Sequence, residues 1–342
     1  MRRRELVCMK PATPVQLQLR EATLPEPGRG EVLVRVLATS INPIDAKRAA
    51  GYGQRLLGLK GAGRFPLVLG NDVAGRVEAI GPGVTPFAVG QEVFGLVGTG
   101  KHGGAHASHV VVPQAQLRGA PKGMAATSLA VLPYSFTTMW QALHGSGLTP
   151  GHAAGKRVLV QGAAGALGRL SLATLSAWGS RVTAICDADK LDDCRAMGAQ
   201  HTVARGPDAI ESLPTDFDAV LNFASWDDEI ALASRLGSDA LGHATTVHPL
   251  LGNFDRLGWW RGAWASRRDY AAVRTAVRQR SPSARYAWTI FKPDAQALVA
   301  LEAGLRLHQL SLPIGLSVPL DQADAAFAHV AAGQPGRAVL LP

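Results

Sequence analysis

Val158-Leu-Val-Gln-Gly162-Ala-Ala-Gly165-Ala-Leu-Gly168 joins a short apolar run to a helix-length one. Arg157–Gln161 reads as a buried strand and 166–178 as a helix, so the glycines fall on a strand-to-helix turn. A dinucleotide pyrophosphate needs backbone N–H groups at a helix N-terminus with no side chains in the way. Gly165 would permit that approach, with the N–H groups of Ala166, Leu167 and Gly168 facing the anion, and Gly168 would let helix pack on strand. In the six-residue fingerprint frame Ala163 replaces the first glycine. Gly162, Gly165 and Gly168 instead form a G-x-x-G-x-x-G variant. A tight turn without ligand is the plain alternative, and the flanking elements argue against it.

Working outward, Arg181–Cys186 is a second strand and 189–197 a helix stopped by Gly198. Short strand candidates follow at 201–203, 217–222 and 243–247, with a helix near 227–236. Strands alternating with helices predict an α/β fold with a doubly wound parallel sheet. The segment 261–285 is polar and helical in its middle, and 286–291 offers a last strand. Before residue 126 the chain is β-rich, with strands at 31–38 and 72–80. After Pro293 come a helix (295–304), a strand (314–318), a helix (322–332) and a terminal strand (337–341). That tail is too small for its own core and is expected to fold back onto the N-terminal unit.

At 342 residues the chain fits two domains. It is 47% hydrophobic and 18% charged, too apolar for disorder, and lacks a run of 18 apolar residues for a membrane helix. Cys8, Cys186 and Cys194 form no CxxC pair, which excludes a disulfide framework and a four-cysteine zinc lobe. The net charge of +9 concentrates in 261–285, where seven arginines meet one aspartate. With no helix-turn-helix or zinc module, no nucleic-acid partner is expected. Without an apolar targeting segment, a cytoplasmic location is the default.

Cofactor choice turns on Asp187, nineteen residues after Gly168, at the end of the second strand. A carboxylate there takes a ribose 2′-OH and repels a 2′-phosphate, which favours NAD(H). Lys190 and Arg205 lie close enough in the chain to pair with a 2′-phosphate. These residues leave both cofactors open. Asn222, Phe223 and Val247, at strand ends on the carboxyl edge, are further cofactor candidates, as is Arg337 at the head of the terminal strand. His248 could relay a proton.

Ser40-Ile-Asn-Pro-Ile-Asp45, Pro66-Leu-Val-Leu-Gly-Asn-Asp-Val-Ala-Gly75, Gly90-Gln-Glu-Val-Phe-Gly95, Leu132-Pro-Tyr134 and the Gly162–Gly168 turn occur in the order found in one family. The chain resembles the medium-chain dehydrogenase/reductase superfamily, in its zinc-free quinone oxidoreductase branch. Gly51-Tyr-Gly53, the stretch His248–Gly258 and Arg285-Tyr-Ala-Trp288 resemble phrases of the reticulon-interacting mitochondrial oxidoreductases within it. The resemblance implies a GroES-like catalytic domain (1–126 and 292–342), a Rossmann domain (127–291), a homodimer, and Thr138 near the nicotinamide. Together with Lys190 and Arg205 it tips the cofactor expectation to NADP(H) by a small margin, with NAD(H) as the alternative. Zinc-dependent relatives carry a cysteine where this chain has Asn42, and a His-Glu pair at Asn71-Asp72. Amides in those places do not make a tetrahedral N/S site, so no zinc is expected. His102, His106 and His109 have metal-like spacing, yet the segment reads as turn and strand.

Without a metal to stabilise an alkoxide, alcohol oxidation is poorly served. Hydride transfer to a quinone or α,β-unsaturated carbonyl is easier, because conjugation carries the developing charge to oxygen. Asn42 is the expected donor to that oxygen or to the nicotinamide, Tyr52 a gate or proton donor, and Asp45 an orienting group. The alternatives are a zinc-type alcohol dehydrogenase and a catalytically weak nucleotide-binding or partner-binding protein.

Overall fold

The structure, a computed structural model, describes residues 2–59, 61–98, 103–307 and 310–342. It divides into two compact units. One comprises Met1–Tyr134, Phe254–Gly258 and Lys292–Pro342, and the other Ser135–Asn253 and Trp259–Phe291. The first break therefore falls at Tyr134 rather than at residue 126. The helix Ala126–Ala130 packs on strands Glu31–Ile41 and Asp72–Ile80, and the Tyr134 N–H donates to Asp72 Oδ1 at 2.6 Å.

In the second unit six parallel strands lie in the order His201–Ala204, Arg181–Cys186, Arg157–Gln161, Ala219–Asn222, Gly242–Thr245, Arg285–Trp288. This is the doubly wound order in which the chain reverses direction beside the first strand, leaving a crevice at the carboxyl ends. Both faces are covered, so the strands are runs of Val, Leu and Ala with little alternation. Leu159, Ile185, Phe217, Val220, Leu232 and Val277 fill one core. Helix Ala166–Ala177 follows the first strand, and Gly198 ends the next helical segment at φ 104°.

The expected helix inside 261–285 is longer, Leu250–Arg280, and kinks where Gly258 takes φ 77°, ψ −170°. Its buried seam is mainly of small residues, Gly262, Ala265, Ser266, Val273 and Val277, so the apolar period barely registers in the sequence. Trp260 is 90% exposed, and the Arg268 guanidinium lies 5.3 Å from the centre of the Trp264 ring.

In the first unit the tail does fold back. Ile314–Pro319 pairs in parallel with Arg337–Leu341, which pairs antiparallel with Glu31–Ile41. That strand also pairs with Asp72–Ile80 and His109–Pro113. Arg2–Cys8, Leu17–Thr23 and Leu67–Val68 form a smaller sheet. Among the described residues, no helix is long and apolar enough to cross a membrane.

Candidate functional site

Strand Arg157–Gln161 lies between two parallel neighbours, and its C-terminal end opens directly into the glycine turn. Gly162 adopts φ +77°, a left-handed conformation that favours glycine, and its N–H and that of Ala163 both donate to Ile185 O at 3.1 Å. A Cβ on Gly168 would stand 2.3 Å from Gly162 O and 2.4 Å from Ala163 O, so this glycine is what lets the helix press on the turn. Gly165 caps the helix with no side-chain hydrogen bond. A Cβ there would meet only Gly162 O, at 3.3 Å. The turn thus has the shape and polarity to take a dinucleotide's pyrophosphate.

At the end of the second strand Asp187 accepts from Arg205 at 2.7 Å, with both side chains more than half exposed. Lys190 pairs with Asp189 at 3.0 Å, and that hydrogen bond raises the lysine's pKa. The two cations expected to be free for a phosphate therefore already carry carboxylates.

At the carboxyl edge, the Asn222 side chain is committed to its own loop. Nδ2 donates to Ser225 O and to Glu229 Oε1, both at 2.6 Å, and Oδ1 accepts from the Ala224 and Ser225 N–H groups. Glu229 also takes His243 Nε2 at 3.0 Å and the Tyr286 hydroxyl at 2.9 Å. Burial raises its carboxyl, but the His243 charge and the bonds from His243, Thr245 and Asn222 outweigh it and hold the group below its ordinary value. The Phe223 N–H donates to Gln161 O, and the Val247 N–H to Thr245 Oγ1. His248 lies stacked on Trp288 with ring centroids 4.9 Å apart, and burial lowers its pKa. Thr138 is buried on helix Pro133–Gly145.

In the first unit Asn42, Asp45 and Arg337 converge. Asn42 is fully buried and opens helix Pro43–Ala49. Its Nδ2 donates to Asp72 Oδ2 at 2.8 Å and to Ser40 Oγ at 3.2 Å, and its Oδ1 accepts from the Arg337 guanidinium. Its amide donors are thus already engaged, contrary to the expectation that Asn42 would steady an acceptor oxygen. Asp45 accepts the Asn42 N–H at 2.9 Å and the Gly70 N–H at 3.2 Å. Asp72 also accepts from Ser40 Oγ at 2.6 Å. Burial pushes its carboxyl up to about 6, opposed by the bonds from Ser40, Asn42 and Tyr134 and by the Arg337 charge. Burial lowers Arg337, and Asp72 and Asp45 oppose that shift. Tyr52 lies beyond the far end of the helix, its ring centre 5.8 Å from Lys47 Nζ.

Of the three spaced histidines, His102 lies outside the described residues. His106 is buried against Ser40 O at 3.0 Å, while His109 meets Glu78 at 3.1 Å and Ser108. Asp72, Glu229 and Asp255 are functional candidates that the sequence did not single out as such. Asp72 had one signal, its place in the zinc-ligand positions of relatives. The Glu229 partners Asn222, His243 and Tyr286 lie 7, 14 and 57 residues away in the chain, and the N–H groups that Asp255 accepts lie 200 and 202 away.

A Rossmann sheet with a glycine-lined turn and a β-rich unit completed by the chain's own tail define a two-unit oxidoreductase. Residues 28–122 match the alcohol dehydrogenase GroES-like domain. The chain is 30% identical over 317 residues to the mouse protein "NAD(P)H oxidoreductase RTN4IP1, mitochondrial", covering 89% of this chain and 79% of that one. The Drosophila melanogaster protein of the same name is 31% identical, with 89% and 76% covered. Among solved structures, the quinone oxidoreductase from Coxiella burnetii superposes with a TM-score of 0.82 at 21% identity, covering 100% of both chains. The CurK enoyl reductase superposes at 0.78 and 21%, covering 99% of each. The chain belongs to the medium-chain dehydrogenase/reductase superfamily.

Proposed function

We propose that this oxidoreductase uses NAD(P)H, with NADPH preferred, to reduce a quinone or an α,β-unsaturated carbonyl without zinc. The observation that carries this reading is the closed Asn42–Asp72–Arg337 network. In the place where zinc-dependent relatives hold a metal, this chain has an amide whose donors are engaged and a guanidinium bonded to its oxygen. A divalent cation would find neither thiolate nor free imidazole there, and would stand against a positive charge.

The cofactor, when bound, supplies the hydride. The N–H groups of Ala166, Leu167 and Gly168 would hold its pyrophosphate, and Arg205 would exchange Asp187 for a 2′-phosphate. Exposed ion pairs contribute only about 0–1 kcal/mol, so this exchange is inexpensive. Tyr52 Oη would supply the proton that the acceptor oxygen needs beside the hydride, so that a quinone would become its hydroquinone, and solvent would restore the phenol.

Purified chain is expected to oxidise NADPH with a simple quinone or enone in the presence of chelator. Activity that disappears on chelation and returns with zinc overturns the reading. For the cofactor, Arg205→Ala is expected to weaken NADPH binding about tenfold or more and leave NADH binding unchanged, as read by protein fluorescence titration. Tighter binding of NADH than NADPH by the parent chain would reverse the preference.

The engaged donors of Asn42 favour a second reading, a nucleotide-binding protein with little turnover. Saturable NADPH binding with no oxidation across a broad acceptor panel would establish it. We read the assembly as a homodimer, checked by light scattering, and the compartment as cytoplasmic, although the curated relatives are named as mitochondrial. Fractionation of cells expressing the tagged chain checks the compartment.

A further inference from the structure

We propose that Asp255 is a positioning residue for this reaction, fixing the Gly51-Tyr52-Gly53 turn from a segment 202 residues further along the chain. The inference rests on the reading of Tyr52 as proton donor.

The turn holds its aromatic between two glycines at φ 97° and 83°, both in the left-handed region. Short glycine-flanked turns lose much conformational freedom on ordering, so such a turn needs anchors on both sides. On the near side the anchor is local. The Gly51 N–H donates to Arg48 O and the Tyr52 N–H to Lys47 O, each at 2.9 Å, continuing helix Pro43–Ala49.

On the far side, among the described residues, no backbone carbonyl outside the helix takes the Gly53 or Arg55 N–H. Gly53 and Arg55 stand at the opening of the short helix Gln54–Gly58, where N–H groups have no preceding helical carbonyl. Gly53 is buried, and a buried N–H left unpaired is costly. The Asp255 carboxylate answers both, taking the Gly53 N–H on Oδ2 and the Arg55 N–H on Oδ1 at 3.2 Å. Hydrogen bonds to an ionised acceptor are about twice as strong as neutral ones.

Asp255 is itself carried on an ordered segment. Asn253, two residues earlier, is buried with Nδ2 bonded to Ser266 Oγ and Asp269 Oδ2. Three residues later Gly258 breaks the helix. The backbone on both sides of Tyr52 is therefore fixed, and the phenol's position follows from a carboxylate that touches no reacting atom.

The test is a double-mutant cycle of Asp255→Ala with Tyr52→Phe, read by steady-state kinetics with NADPH and a quinone. Asp255→Ala is expected to lower kcat/KM for the quinone about tenfold or more and to leave NADPH binding unchanged, which also shows that the variant is folded. Backbone amides at 53 and 55 should exchange faster with deuterium, and Asp255→Asn should recover part of the loss. In the Tyr52→Phe background the Asp255→Ala penalty should largely vanish, because one residue acts through the other. Turnover that Asp255→Ala leaves untouched, or a penalty kept in full beside Tyr52→Phe, overturns the inference while the function stands. A parent chain with no turnover at all overturns both.

Discussion

Replacing Arg337 by methionine lowers the stability of the chain by about 3 kcal/mol at pH 8, measured by urea unfolding, the low end for breaking a buried charge network. The low end applies because Arg337 is part exposed, although its Nε is shut off from solvent and has no partner among the described residues. The guanidinium is joined to Asp72 through the Asn42 amide. Its removal leaves the Asn42 oxygen without its charged donor and the fully buried carboxylate without its nearest opposing charge. The deficit should shrink on acidification, because Asp72 then takes a proton and needs no counter-charge.

The parent chain carries the same linkage. Asp72 sits at about 6 when folded against an ordinary 3.8, so between those values the folded chain binds the proton more tightly than the unfolded one. Its contribution to stability is complete below pH 3.8 and is lost as pH rises through about 6. Asp72→Asn removes that slope. Relative to the parent, the variant should gain about 3 kcal/mol between pH 4 and pH 7. A stability difference between the two that is flat across this range would show that Asp72 titrates at its ordinary value.

The cluster behind these effects was only half legible in the sequence. The candidacy of Asn42 follows from its place in Ser40–Asp45, but the use of its amide does not. Whether an asparagine is a free donor depends on the identity and distance of every neighbour, and here one is supplied by Arg337, 295 residues away. Asp255 has the same history, since its partners lie across the chain and nothing in Asn-Phe-Asp-Arg announces a cap. The parallel sheet was readable because strands buried on both faces are continuous apolar runs between turn residues. The helix Leu250–Arg280 was not fully readable because small and polar residues make up most of its buried seam. Asp187, Lys190 and Arg205 are cofactor candidates by their place in the chain, yet the pairing of both cations with carboxylates is a matter of side-chain geometry. Local pattern thus located the elements, and long-range pairing determined the uses of the residues they carry.

Two glycines of the nucleotide turn should separate binding from folding. In Gly168→Ala the new methyl meets backbone on every side, with Gly162 O at 2.3 Å and Ala163 O and C at 2.4 and 2.5 Å. No side chain can swing away, so helix Ala166–Ala177 must move off the strand. Overpacking of this kind costs roughly 1–3 kcal/mol or more, and nucleotide affinity should fall with it. Gly165→Ala is different, because its φ of −71° suits any residue and its Cβ has only one neighbour, at 3.3 Å. Its stability should stay within about 0.5 kcal/mol of the parent. Its methyl, however, projects into the space before the helix N-terminus, and NADPH affinity is expected to drop about tenfold or more. Thermal unfolding and fluorescence titration on the two variants read these quantities separately. If Gly165→Ala binds NADPH as the parent does, the pyrophosphate does not sit on this turn, and the assignment of Ala166, Leu167 and Gly168 to the cofactor is withdrawn.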